Sequence, residues 1–203
     1  MAKNSGTDRL VRVLLYMLLS KPQLRVPTDA AREIGPDKAA VYLTRGGEIN
    51  LSRDDAIALA RIGGFRGVLD ERVSSLLRSQ FGKALVSGWL QNSGLDVVTE
   101  VQIKATDFGL EHLESGGQYR FMDISTMNGM ASIEVKTWSK TICGGGIIDQ
   151  LVDYTYWRNA VPGRRVLLAT VNWGIDETEL SPSLTGFMGA NNICCLRFTI
   201  DWL

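Results

Sequence analysis

Asn128-Gly129 is the dipeptide that most limits how this chain can fold. Asn-Gly tolerates positive φ at both central positions of a tight turn, so the β-prone runs on either side are expected to pair as a hairpin. The first run ends with Arg120-Phe-Met-Asp-Ile-Ser-Thr126, and the second is Ala131-Ser-Ile-Glu-Val-Lys-Thr-Trp138. In the second, Ile133, Val135 and Thr137 alternate with Ser132, Glu134 and Lys136. Strand periodicity therefore sends Glu134 and Lys136 to one face and the apolar residues to the other. Across the turn, Asp123 is expected to arrive beside Glu134. Two carboxylates and an ammonium in one place make an oxygen-rich site suited to Mg²⁺ or Mn²⁺ with a cation beside it.

The rest of the chain excludes several other chemistries. There is a single histidine, His112, in a loop-like Glu-His-Leu-Glu-Ser-Gly-Gly segment. Histidine-pair ribonuclease chemistry and histidine-based metal centres need more imidazole than this. Cys143, Cys194 and Cys195 lack metal-ligand spacing, and an odd set with two adjacent members fits a reducing, cytoplasmic setting. The run Leu10 to Leu19 is interrupted by Arg12 and closed by Lys21, which reads as a buried helix rather than a signal peptide or membrane span. No membrane partner is expected.

A second element follows at a suitable distance. Gln150-Leu-Val-Asp-Tyr154 sits in a helix expected from Ile147 to about Asn159, with Gln150 and Tyr154 four apart on one face. The ordered set of Asp123, hairpin, Glu134-Val135-Lys136, helix and Q-L-x-x-Y resembles the PD-(D/E)xK nuclease superfamily, and its RecB-type branch in particular. The resemblance covers roughly residues 82 to 172. It implies an α/β restriction-endonuclease-like core with a central mixed sheet flanked by helices. It also implies Asp123, Glu134 and the Val135 carbonyl as ligands of Mg²⁺ or Mn²⁺, and Lys136 and Gln150 as catalytic partners. Two departures stand out. Met122 replaces the proline that often precedes the aspartate, and no acid lies between Gln80 and Gly94, where many members carry a further acid near the position of Lys83. Glu71 or Glu100 is the alternative source of a third carboxylate, though neither stands at the motif position.

The order helix (Ala84 to Asn92), strand (Leu95 to Ile103), two hairpin strands, helix and apolar strand (Arg165 to Asn172) agrees with such a core. A further strand is expected from Ile193 to Trp202. Residues 81–203 are thus read as the nuclease-like core, and residues 1–80 as a mostly helical N-terminal region. There Ser52-Arg-Asp-Asp55 starts a helix running to about Ile62, another spans Asp70 to Gln80, and Ala39 to Gly47 is ambiguous between strand and helix. The N-terminal region is either a nucleic-acid-binding module or a helical cap.

Net charge is zero, yet residues 1–83 hold 14 Lys and Arg against 9 Asp and Glu, about +5, and residues 84–203 hold 8 against 13, about −5. The basic part is suited to face phosphates. Trp138, Tyr156 and Trp157 are candidates for base stacking or for plain packing. Gly144-Gly-Gly146 either admits a phosphate to the next helix or serves as a linker.

Three functions fit these readings. They are a metal-dependent DNA endonuclease, an RNA-cleaving nuclease with the same site, and a non-catalytic nucleic-acid-binding or assembly subunit. DNA is favoured over RNA as the partner, and cutting both strands of a duplex would favour a homodimer. Because Asp123 and Glu134 repel each other without metal, replacing either by Ala is expected to leave the fold intact or to stabilise it slightly.

Overall fold

The computed structural model describes residues 34–66, 74–138, 141–142, 144–173 and 179–202. The expected helix at 8–20 and Glu71, considered as a third acid, lie outside them. In chain order the elements are α1 (Pro36–Arg45), β1 (Gly47–Ser52), α2 (Arg53–Ile62), α3 (Ser74–Asn92), β2 (Val97–Lys104), a 3₁₀ turn (Ala105–Phe108), β3 (Tyr119–Thr126), β4 (Ala131–Trp138), α4 (Gly145–Asn159), β5 (Arg165–Asn172), α5 (Pro182–Ala190) and β6 (Cys194–Asp201). The fold is α/β. One six-stranded mixed sheet runs in the order β1-β6-β5-β4-β3-β2. Strands β1, β6, β5 and β4 are mutually parallel, and β4-β3-β2 form an antiparallel meander.

Each face of the sheet has its own core. Ala39 and Leu43 of α1, Ile57 and Leu59 of α2, and Phe81, Leu85 and Trp89 of α3 cover one face. Leu151, Tyr154 and Trp157 of α4, with Leu184 and Met188 of α5, cover the other. Strand β5 lies between them. Its Leu167, Ala169 and Val171 enter the first core and its Val166 and Leu168 the second, which is why it reads as an unbroken apolar run.

The hairpin forms at the expected residues. Met130 N–H bonds to the Met127 carbonyl, and Asn128 and Gly129 both take positive φ, +55° and +79°. The Asp96 carboxylate accepts the Asn128 N–H and holds the turn against the start of β2. Ser52 caps α2 by accepting the Asp55 N–H, also as the sequence indicates. The stretch from Ala39 resolves as helix through Arg45, with Pro36 in its first turn, and Gly47 opens β1.

Several features differ from expectation. The helices read at 70–80 and 84–92 are, from Ser74 onward, one continuous helix through Gly82. That glycine is needed for packing rather than for a break: a Cβ there would come within 1.8 Å of Thr137 Oγ1 on β4. Strand β1 was not foreseen. It lies within the region read as mostly helical and pairs in parallel with β6, the last strand. The boundary expected at 80/81 falls inside α3, and the described residues on either side of it share one core. Helix α5 is likewise absent from the expected elements.

Candidate active site

The site grows from an irregularity in the meander. Residues pair between β2 and β3 on both sides of Glu100 and Asp123, but not at that pair. Glu100 has φ of +55°, a left-handed conformation unusual for glutamate and of the kind that concentrates at functional sites. Both strands change faces at this point. Val97 and Ile124 pack on the first core, whereas Val101 and Met122 pack on the second. The β3–β4 ladder likewise stops at Ile124 and Ile133. Beyond it, the Asp123 carboxylate itself takes the Val135 N–H, through Oδ2 at 2.9 Å.

Strand β4 alternates as read from the sequence. Ile133 and Val135 join the first core, and Glu134 and Lys136 turn to the face covered by α4. There the side chains make one connected chain. Lys136 Nζ donates to Glu134 Oε1 and, at 3.0 Å, to Gln150 Oε1. The Tyr154 hydroxyl donates to Glu134 Oε2 and accepts the Asp123 N–H at 3.3 Å. Gln150 and Tyr154 are one helical turn apart, so α4 reaches both carboxylate strands from a single face. Burial, reinforced by the charges of Glu134 and Asp123, pushes the Tyr154 phenol well above its ordinary pKa, so it serves as a neutral donor.

Three further residues are also there, of which the sequence offers only Glu100, as an alternative third carboxylate. Lys83 Nζ lies 2.7 Å from Asp123 Oδ1 and 2.7 Å from Glu100 Oε1. Burial alone would lower its pKa, but its hydrogen bonds to Asp123 and Glu100 and their charges outweigh that and raise it. Arg120 Nη2 stands 3.7 Å from Glu134 Oε1, with its guanidinium 5.9 Å from the Tyr154 ring centre. Arg120 Nε is buried without a hydrogen-bond partner among the described residues. For Arg120, alternation from Asp123 points to the opposite face, and it reaches the site because β3 changes faces there. For Lys83 and Glu100, the sequence contains no local signal that α3 and β2 meet Asp123.

Asp123 and Glu134 are 7% and 2% exposed, so neither is screened by water to any extent. The expectation that Ala at either position would leave stability intact or raise it is therefore corrected. Lys83, Lys136 and Arg120 balance Asp123, Glu134 and Glu100, and deleting a buried acid would orphan its partners rather than relieve repulsion.

Two carboxylates of this set could hold a divalent ion. Each carboxylate is fixed through one oxygen by a neutral donor, Val135 N–H or Tyr154 O–H, and its other oxygen faces an ammonium. Those second oxygens, Asp123 Oδ1 and Glu134 Oε1, are the ones a metal would take. Two carboxylates with water completing the shell is how Mg²⁺ is commonly held. Among the described residues, no three His, Cys, Asp or Glu side chains gather as a metal-binding group.

The remaining candidates lie apart from this chain of contacts. Trp157 is buried, with Arg164 4.3 Å over its ring, and Tyr156 packs on Phe108. Trp138, at the end of β4, is exposed. His112 is exposed in a loop tied to α4 by Asp153, which accepts the Glu114 and Ser115 N–H groups. Gly144 precedes α4 and abuts Ile148 and Ser183. No helix among the described residues is long and apolar enough to cross a membrane. Comparison of the chain with family models, curated proteins and solved structures finds no match.

Proposed function

We propose that this chain is a metal-dependent nuclease of the PD-(D/E)xK kind that hydrolyses phosphodiester bonds, acting as a DNA endonuclease. The observation that carries the reading is the connected chain Asp123–Tyr154–Glu134–Lys136–Gln150, assembled from both arms of one hairpin and the following helix. Its setting supports a restriction-endonuclease-like core: α3, the β2-β3-β4 meander, then α4 leading to a parallel β5.

Asp123 and Glu134, with the Val135 carbonyl, would hold Mg²⁺ or Mn²⁺. Such an ion, when bound, supplies Lewis acidity toward a phosphate oxygen and lowers the pKa of nearby water. The protein's own groups do the rest. Lys136, steadied by Gln150, orients the attacking water and balances charge that builds on the phosphoryl oxygens. Arg120, only loosely engaged by Glu134 and with its side chain 20% exposed, offers guanidinium donors to a phosphate oxygen. Tyr154 keeps both carboxylate strands in place. Water oxygen forms the new P–O bond, a water proton passes to solvent, and the bridging ester oxygen departs with its bonding pair and is protonated.

One observation favours a second reading, a non-catalytic nucleic-acid-binding subunit. Three acids here face three cations, which weakens attraction for a divalent ion. Incubation of plasmid, linear duplex, single-stranded DNA and tRNA with Mg²⁺, Mn²⁺ or EDTA separates the cases. The proposal expects metal-dependent nicking or linearisation of DNA that EDTA abolishes. Selective cleavage of tRNA would move the substrate to RNA. Retained nucleic-acid binding with no cleavage under any metal would establish the second reading.

A further inference from the structure

Glu100 and Asp123 stand opposite each other on neighbouring strands, where like charges repel. The Lys83 ammonium lies between them at 2.7 Å from each. It meets Asp123 at Oδ1, the oxygen that the Val135 N–H does not take, and its own side chain is 29% exposed. A cavity of about 490 Å³ opens beside it, lined by Gln80, Lys83, Ser87, Arg66 and Glu100, so the ammonium is reachable from outside the sheet. The approach of α3 is fixed by Gly82, which seats the helix against Thr137 and leaves Lys83 directly over the carboxylates. Glu100 holds its side of the bridge from a strained left-handed backbone, a conformation that costs of order 1–3 kcal/mol unless the surroundings enforce it.

The carboxylates of Asp123 and Glu100 converge on one position, and in this chain the Lys83 ammonium fills it. We propose that Lys83 occupies the seat of a second cation, so that the protein binds a single divalent ion, at Asp123 and Glu134, with the Lys83 ammonium as the fixed second positive charge beside the phosphate. This rests on the nuclease reading of the site and specifies its metal count.

Counting bound Mn²⁺ on the full-length chain by electron paramagnetic resonance and calorimetry tests it, with no reference to activity. Wild type is expected to bind one ion per chain. Lys83→Glu, which turns the bridge into a third ligand, is expected to bind two. Lys83→Gln, which removes only the charge, keeps one and binds it about fivefold or more tightly, the scale for removing one unit charge a few ångströms away in water. Should Lys83→Glu fail to fold, the Lys83→Gln affinity carries the test. Two ions on wild type, or one unchanged ion on both variants, overturns the assignment of Lys83 and leaves the nuclease reading standing. A merely structural ion pair would lower the melting temperature of Lys83→Gln without moving Mn²⁺ affinity, and that result also overturns it. No Mn²⁺ on any of the three removes the metal reading itself.

Discussion

The two ends of the sheet are built on different principles. At the parallel end, β1, β6 and β5 pair without interruption, and β5 buries apolar side chains on both faces. At the antiparallel end, pairing lapses at Glu100 with Asp123 and again beyond Ile124, and both β2 and β3 change faces. Buried charges gather where the ladder lapses. One end is held by non-directional burial, which tolerates a range of side chains. The other is held by directed contacts, in which each group needs its partner. A functional site of fixed geometry belongs at the second end, and its surroundings are kept rigid by the first.

Deletions at the two ends should therefore differ in cause even where they cost similar amounts. Glu134→Ala leaves Lys136, Arg120 and the Tyr154 hydroxyl facing a void and is expected to destabilise by about 3–5 kcal/mol, with metal binding lost. Leu168→Ala on β5 is expected to cost about 2–5 kcal/mol through the cavity it leaves. Denaturant melts give both numbers, and a rescue experiment separates them. Glu134→Leu combined with Lys136→Met replaces a charged pair by apolar volume and should recover much of the loss. If the double substitution is no better than Glu134→Ala, the directed-contact account of the antiparallel end fails.

Catalysis sharpens the contrast further. Lys136→Ala should lower the cleavage rate by ~10²–10³, as for loss of one preorganised electrostatic contact, while metal still binds. Gln150→Ala should cost less, since a neutral amide acts on the substrate only by steadying Lys136. Single-turnover rates at saturating metal provide the comparison, and a larger loss for Gln150→Ala than for Lys136→Ala would reverse these roles.

A smaller effect concerns pH. The Tyr154 phenol has a raised pKa, so the folded chain keeps its proton above about 10, where an unfolded tyrosine begins to lose it. Stability contributed by this group is complete below that value and falls as pH rises toward the folded pKa. Lys83, also raised, acts in the same direction. Tyr154→Phe should flatten the alkaline decline in melting temperature, and spectrophotometric titration of the native wild type should show a late-ionising phenol that Tyr154→Phe lacks. Smallest of all, burial raises the pKa of the Cys195 thiol, so alkylation there at neutral pH should be slow and should accelerate on denaturation.

What the sequence disclosed follows the same division between local and non-local causes. The hairpin was legible because Asn128-Gly129 encodes its own turn, and the placement of Glu134 and Lys136 followed from alternation within eight residues. Strand β5 was legible because burial on both faces leaves a continuous apolar run. Strand β1 was not, since Gly47–Ser52 buries only Ile49 and Leu51 and pairs with a strand about 150 residues away. Helix α5 carries two glycines and a proline within nine residues, which masks its periodicity. The continuity of α3 through Gly82 was not legible, because the residue that glycine packs against, Thr137, is remote in sequence. The carboxylates and Lys136 could be named from one segment. Lys83, Glu100 and Arg120 joined them only through packing that no segment encodes alone.

The central claim is that Asp123, Glu134 and Lys136 form a metal-dependent phosphodiester-cleaving site. Its most direct test is a supercoiled-plasmid cleavage assay across a Mg²⁺ and Mn²⁺ titration, with wild type and Lys136→Ala side by side. The account predicts cleavage by wild type that rises with metal and disappears in EDTA, and a Lys136→Ala chain that binds metal but cuts ~10²–10³ more slowly. Robust cleavage in EDTA, or cutting by Lys136→Ala at the wild-type rate, would contradict it.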